Sequence, residues 1–324
     1  MILVAILLLV SAFLHFLPRL TRPGLFFAVT VDPAFPASPA AARITLSFRI
    51  ILWSFTLPSI ALFCLTQRQE FVLLQIPGYY CAMAVAHRRA LAYAAPAESA
   101  VEVSLSAPRE SFPGGPIAML APLVSLAALA LWASRNWNRL PEHFPVHWGM
   151  HGADRWVWRT PASVYGLLAA DGAMSLFFVL IGVGILYWSR RTSAGGSVAF
   201  EERRFRRINA QVFLALACFP AGQAWIILLQ PAAISAWLAG AALVIGAIYY
   251  AALIRNRPRL SARAGDHTPD RCWKLGIFYF NPSDPAVFVL QRFGIGYTFN
   301  FGNRWSWAML ATIVAAVSLR VVLR

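Results

Sequence analysis

Three of the six histidines, His143, His147 and His151, recur at four-residue spacing within Leu140–Trp156. On a helix that spacing would stack three imidazoles on one face, and three imidazoles can hold a zinc-like ion that activates water. The segment argues against such a helix. Pro145, Gly149 and Gly152 interrupt it, and both residue types break helical periodicity. No His-Glu-x-x-His occurs in the chain, so neither a metal nor any other cofactor is expected. The favoured reading is a tight extracellular turn pinned to the membrane surface by Trp148 and Trp156, with Asp154 capping the next element or bonding nearby backbone. The alternative is a surface for an extracellular ligand such as a peptide, with His147, Trp148, Gly152 and Asp154 as its candidate residues.

A second pair of chemical groups lies within apolar runs. Asp171 falls seven residues inside the run 164–188, which on a helix is about 10 Å of depth. Arg320 falls at a comparable level in the run 305–323. An unpaired charge in hydrocarbon is costly, so the two are expected to pair, or Asp171 to line a water-filled outer cavity.

A third group lies before the last apolar run. Ile277–Phe280 and Ala286–Leu290 are short β-prone stretches on either side of Asn281-Pro282-Ser283-Asp284-Pro285, and Ile295–Phe301 is a third. They suggest a small cytoplasmic β-hairpin or three-stranded unit, with Lys274 and Arg292 reaching lipid phosphates. Trp273, Lys274, Asn281, Asp284 and Arg292 are the candidates for docking a cytoplasmic partner, against the plainer reading of a structural plug.

Membrane helices must position these groups. The 324 residues are 59% hydrophobic and 13% charged, with mean hydropathy +0.61, whereas soluble domains carry about a quarter charged residues. Runs near 2–18, 44–65, 71–87, 117–134, 164–188, 208–229, 232–254 and 305–323 approach the length that spans hydrocarbon. The third contains Gln75 and Pro77-Gly78, so it is either a full span or re-entrant. With both termini outside, 20 of the 28 basic residues fall on cytoplasmic segments and 6 on outer ones. That is the bias of the positive-inside rule, and it favours counting 71–87 as a span. The net charge of +15 therefore reads as membrane topology rather than nucleic-acid binding. Cys64, Cys81, Cys218 and Cys272 contain no Cys-x-x-Cys and suggest no disulfide framework. The expected fold is an all-α integral membrane protein of about eight transmembrane helices with a small β element before the last. Its expected segments are 1–116, 117–188, 189–254 and 255–324.

Two stretches resemble known families. Pro145, His147, Trp148, Gly152 and Asp154 resemble the loop of the bacterial domain-of-unknown-function family 1648, which also occurs in SdpI-type immunity proteins and lies between two membrane helices. A lysine usual after the aspartate has only Arg155 and Arg159 as counterparts here. Trp273-Lys274-Leu275-Gly276, Phe278–Pro285, Arg292–Gly296, Asn300 and Trp305 are similar to the domain-of-unknown-function family 5808. The pair of resemblances implies a multi-pass protein of the bacterial inner membrane. Its expected function is that of a non-enzymatic sensor or immunity protein, with an extracellular peptide and a cytoplasmic regulator as partners. Transport of a small solute or ion past Asp171 is the alternative. Catalysis is not expected, because no nucleophile stands at a defined spacing from a base.

Overall fold

A computed structural model describes residues 2–21, 24–95, 115–149, 152–190, 196–229, 247, 251–252, 255, 268–293 and 296–322. It is mostly helical, with small antiparallel hairpins. The helices are α1 (Ile2–Phe16), α2 (Pro39–Thr66), α3 (Gln75–Ala90), α4 (Gly115–Arg135), α5 (Pro161–Trp188), α6 (Gly196–Leu229) and α7 (Arg304–Val322). Among the described residues, four helices contain stretches long and apolar enough to cross a membrane: Pro39–Thr66, Ile117–Arg135, Pro161–Trp188 and Phe200–Leu229. The expected span at 232–254 lies outside the described residues apart from isolated helical positions. The expected span at 71–87 is a short 3-10 turn, Gln69–Leu74, followed by the 16-residue α3. At 1.5 Å per residue α3 alone reaches about 24 Å, less than the hydrocarbon thickness of about 30 Å.

The chain forms two compact units, each discontinuous in sequence. One comprises Met1–Ser106, Arg190–Ala199 and Pro258–Asn303; the other comprises Ala107–Ser189, Phe200–Arg257 and Arg304–Arg324.

In the first unit, α2 starts where Ser38 caps the backbone N–H of Ala41 and Pro39 occupies the first helical position. It ends at Gln67, which adopts a left-handed conformation. Ala41, Ile44, Phe48, Leu52 and Phe63 form its buried stripe, whereas Leu46, Ile50, Leu57 and Leu65 face outward. An apolar helix with apolar residues on its exposed side is suited to lipid. Helix α3 packs antiparallel on α2, and Gly78 makes this approach possible because a Cβ there would fall 2.4 Å from Phe55 Cβ. Polar groups join α1, α2 and α3: Ser11 Oγ lies 3.0 Å from Thr56 Oγ1, and Gln75 Nε2 donates to Ser11. Gln75, a reason to doubt a span at this position, is thus interhelical glue.

Short strands complete this unit: β1 (Leu25–Phe26) pairs with β2 (Val29–Thr30), and β5 (Trp273–Lys274) with β6 (Phe278–Tyr279). Another hairpin joins β7 (Phe288–Leu290) to β8 (Tyr297–Phe299), and Tyr279 bridges Asn300. The expected hairpin around Asn281–Pro285 is not formed, because the runs on either side belong to different hairpins. Asn281 Oδ1 accepts from Ser283 N, and Asp284 Oδ1 accepts from Ala286 N. These local bonds, with two prolines that lack N–H groups, take the segment out of any ladder.

In the second unit, Thr160 and Ser163 form a reciprocal capping box at the start of α5. Thr160, not Asp154, is therefore the cap. Helix α5 packs against both α4 and α7. Gly182 lies against the backbone of Ala210, where an added Cβ would stand 3.3 Å from its oxygen. Strands β3 (His143–Gly149) and β4 (Gly152–Trp158) form the longest hairpin.

Candidate functional site

The hairpin between α4 and α5 has two dissimilar faces, as the period-two geometry of strands requires. Phe144 is fully buried and packs with Leu129, Ala133, Val164 and Leu168, while Val157 joins the same cluster. His143, Trp156 and Trp158 face outward. His143 pairs in register with Trp158, and its ring lies 5.4 Å from that of Trp156 and 5.8 Å from that of Trp158. Trp158 is 71% exposed. The base is fastened by Arg159, whose Nη1 donates to the carbonyls of Trp137 at 2.9 Å and Leu140 at 2.7 Å. Its backbone N–H also donates to Glu142.

This corrects the tight-turn expectation: the segment is a rooted hairpin presenting an aromatic platform. Its register also separates His143 from His147 by about 13 Å of strand, so the stacked-imidazole geometry does not arise. His147, Trp148 and Gly152 lie toward the hairpin tip, with His147 opposite Arg155 and Gly152 opposite Gly149. The side chains of His147 and Trp148, and the whole of His151, lie outside the described residues. Asp154 is exposed on β4. Among the described residues, no cluster of three His, Cys, Asp or Glu side chains is arranged to hold a metal. The four cysteines are free thiols, with Cys272 buried and the others exposed.

Asp171 is completely buried on α5. Arg320 belongs to α7, which packs along α5, but its side chain lies outside the described residues, and so does the expected pairing.

The first unit is organised by a buried guanidinium. Arg292 is 1% exposed, so it does not reach lipid phosphates as its sequence position suggested. Its Nη1 donates to Ala28 O at 2.9 Å and pairs with Asp270; its Nε donates to Thr268 Oγ1 at 3.1 Å, and its Nη2 donates to Thr268 O. The guanidinium lies 5.4 Å from the centre of the Trp273 ring, a cation–π distance. Trp273 Nε1 also donates to Thr268 Oγ1, at 2.8 Å. Asp270 closes the arrangement by accepting from Thr30 Oγ1 at 2.9 Å and from Thr30 N–H at 3.2 Å.

This cluster grips a strained turn. Phe27 and Ala28, between β1 and β2, have φ of 45° and 64°. Such turns favour Asn-Gly, because a left-handed backbone clashes with ordinary side chains. Each residue costs about 1–3 kcal/mol in that conformation. Both carbonyls are captured: His87 Nδ1–H donates to Phe27 O at 2.8 Å, and Arg292 binds Ala28 O. The Phe27 ring stacks on Phe293 at 5.2 Å. A second left-handed turn, Leu275-Gly276, meets the same histidine, since a Cβ at Gly276 would fall 3.0 Å from His87 Cγ.

A neighbouring network fixes the Asn281–Pro285 segment. Asp284 Oδ2 accepts from Arg190 Nη1 at 2.7 Å and from Tyr279 Oη at 3.0 Å. Burial, with Asp284 adding to it, pushes the Tyr279 hydroxyl above its ordinary range and keeps it a donor. Asn300 is fully buried; its Nδ2 donates to the carbonyls of Asn281, Asp284 and Ala286, and its Oδ1 accepts from the N–H groups of Asn281 and Gly302. Trp273, Asp284 and Arg292 therefore face inward and Asn281 is half-buried, while Lys274 is exposed and donates to Arg271 O. Of the five docking candidates, Lys274 alone is fully outward.

Sequence reasoning did not single out Thr30, His87, Arg190, Thr268 or Asp270. One signal was available for Asp270. With 13 carboxylates against 28 cations, an acidic residue beside a β-prone segment is a ready partner for a buried arginine.

Helices of membrane-spanning length, joined by small hairpins, define a class compatible with integral membrane proteins. Within that class, the model of DUF5808, a family of unknown function, matches residues 282–307. The match contains Asp284, Arg292, Asn300 and Gly302, so it falls on the buried networks just described. No curated protein and no solved structure matches the chain.

Proposed function

We propose that the protein is a non-enzymatic sensor or immunity protein of the bacterial inner membrane. In this reading it has about eight spans with both termini outside. The charge bias assigns 135–163 to the outer surface and 255–304 to the cytoplasm. The outer hairpin receives an extracellular peptide, and the cytoplasmic unit reports to a regulator through its exposed face at Lys274, Leu275 and Phe280. The observation that carries the reading is the outward His143–Trp156–Trp158 platform, held by Arg159 between two membrane-length helices. A rigid hairpin with exposed tryptophan supplies contact area at low entropic cost. The resemblance of residues 145–154 to family 1648, shared with SdpI-type immunity proteins, supports the same assignment. Cells carrying Trp158→Ala, His147→Ala or Asp154→Ala should lose protection against the cognate extracellular peptide by about tenfold or more at equal protein level. A panel of peptides screened against the gene deletion identifies that peptide. Full protection by all three variants would refute the proposal.

A second reading, transport of a small solute or ion, draws on the burial of Asp171 in a membrane-length helix. Under it, Asp171→Asn abolishes uptake into proteoliposomes while leaving protein yield intact. Uptake equal to that of protein-free vesicles, for wild type and variant alike, would exclude it.

A further inference from the structure

We propose that Arg43, Ser47 and Arg89 form a site for the phosphate of an anionic phospholipid. Helices α2 and α3 run antiparallel, so the start of one lies beside the end of the other. Arg89 Nη1 donates to Ser47 Oγ at 2.5 Å. Arg43 lies one turn before Ser47 on α2, and residues four apart share a helix face. Ser47 Oγ accepts from Arg89 and so retains its own O–H to donate. Arg43 and Ser47 thus share one face of α2, which Arg89 reaches from α3, and Arg is the side chain whose planar fork matches a phosphate.

Charge balance points the same way. Arg43, Arg88 and Arg89 are exposed. Among the described acidic residues of this unit, Asp270 and Asp284 are engaged by Arg292 and Arg190, and Glu70 precedes the far end of α3. Asp32 is the exposed carboxylate that remains.

Position selects a lipid over a free phosphate. Helix α2 has 28 residues, about 42 Å at 1.5 Å per residue. It exceeds the hydrocarbon thickness of about 30 Å, and Arg43 and Ser47 stand within three turns of its end, where the excess length reaches headgroup depth. Leu46 and Ile50, both exposed, continue from Arg43 and Ser47 along the helix and offer an apolar track for an acyl chain.

The test uses the full-length protein in nanodiscs and after extraction, with bound lipid counted by native mass spectrometry. Wild type should retain phosphatidylglycerol over phosphatidylcholine, and Arg43→Ala/Arg89→Ala should lower that preference about tenfold. Arg203→Ala/Arg204→Ala, which removes exposed cations elsewhere, should leave it unchanged. Equal retention of the two lipids by wild type, or an unchanged preference in the double variant, overturns the proposal. So does displacement of the lipid by millimolar inorganic phosphate, which would identify a free-anion site. Should the double variant fail to fold, Ser47→Ala decides: lower phosphatidylglycerol retention at an unchanged melting temperature supports the site, and unchanged retention overturns it.

Discussion

Arg292→Ala should lower the melting temperature of the purified protein by about 10 °C or more, or leave no folded protein to purify. Arg292 is the buried cation that Asp270, Thr268 and Ala28 O share. Removing one member of a buried ion pair typically costs about 3–5 kcal/mol, because the other charge stays behind without its partner. Here the loss also frees the carbonyl of a left-handed residue and takes a cation from the face of Trp273. At the usual conversion for domains of this size, 1 kcal/mol is about 2–4 °C. Arg292→Lys should recover part of the loss, because a single ammonium keeps the charge but cannot reproduce the fork. Heating followed by fluorescence-detected size exclusion measures both. A melting temperature within about 2 °C of wild type for the alanine variant would show that the guanidinium is not the organising group.

Asn300→Asp should be similarly damaging, although it changes one atom. The amide nitrogen of Asn300 donates toward three carbonyl oxygens at 2.9–3.1 Å. The substitution puts a carboxylate oxygen in its place, facing those three acceptors with no proton to offer. Unsatisfied buried polar groups cost about 1–3 kcal/mol each, and a charge among carbonyl dipoles adds to that. The expected destabilisation is about 3 kcal/mol or more. Asn300→Ala should be milder, since it removes the donor without adding repulsion. The order of the two variants in the same thermal assay is the discriminating result. If aspartate proved as stable as wild type, the hydrogen-bond assignment of Asn300 would fall.

Much of the helical layout was legible in sequence, because long apolar runs have few other fates. The run 44–65 became α2 and 164–188 became α5, each extended by a capped turn that local chemistry decides. The β-prone character of 277–301 was also readable, but its pairing was not. An Asn-Pro-Ser-Asp-Pro string looks like a hairpin turn, and its local side-chain bonds together with the distant Asn300 hold it as a buttressed crossover instead. The outer hairpin was missed because Pro and Gly argued correctly against helix but not specifically for strand. Its alternation of Phe144 and Val157 inward with His143, Trp156 and Trp158 outward is the pattern that would have exposed it. Arg292 was misplaced for a general reason. An arginine near a membrane is expected to face headgroups, and nothing local announces that partners at positions 28 and 270 will enclose it.

The clamp on the Phe27–Ala28 turn joins residues 264 positions apart in the chain. During synthesis the turn therefore emerges long before the side chain that donates to its Ala28 carbonyl. The clamp can therefore close only after α2 to α6 have been synthesised. Closure of this contact thus requires the chain to have been made at least as far as residue 292.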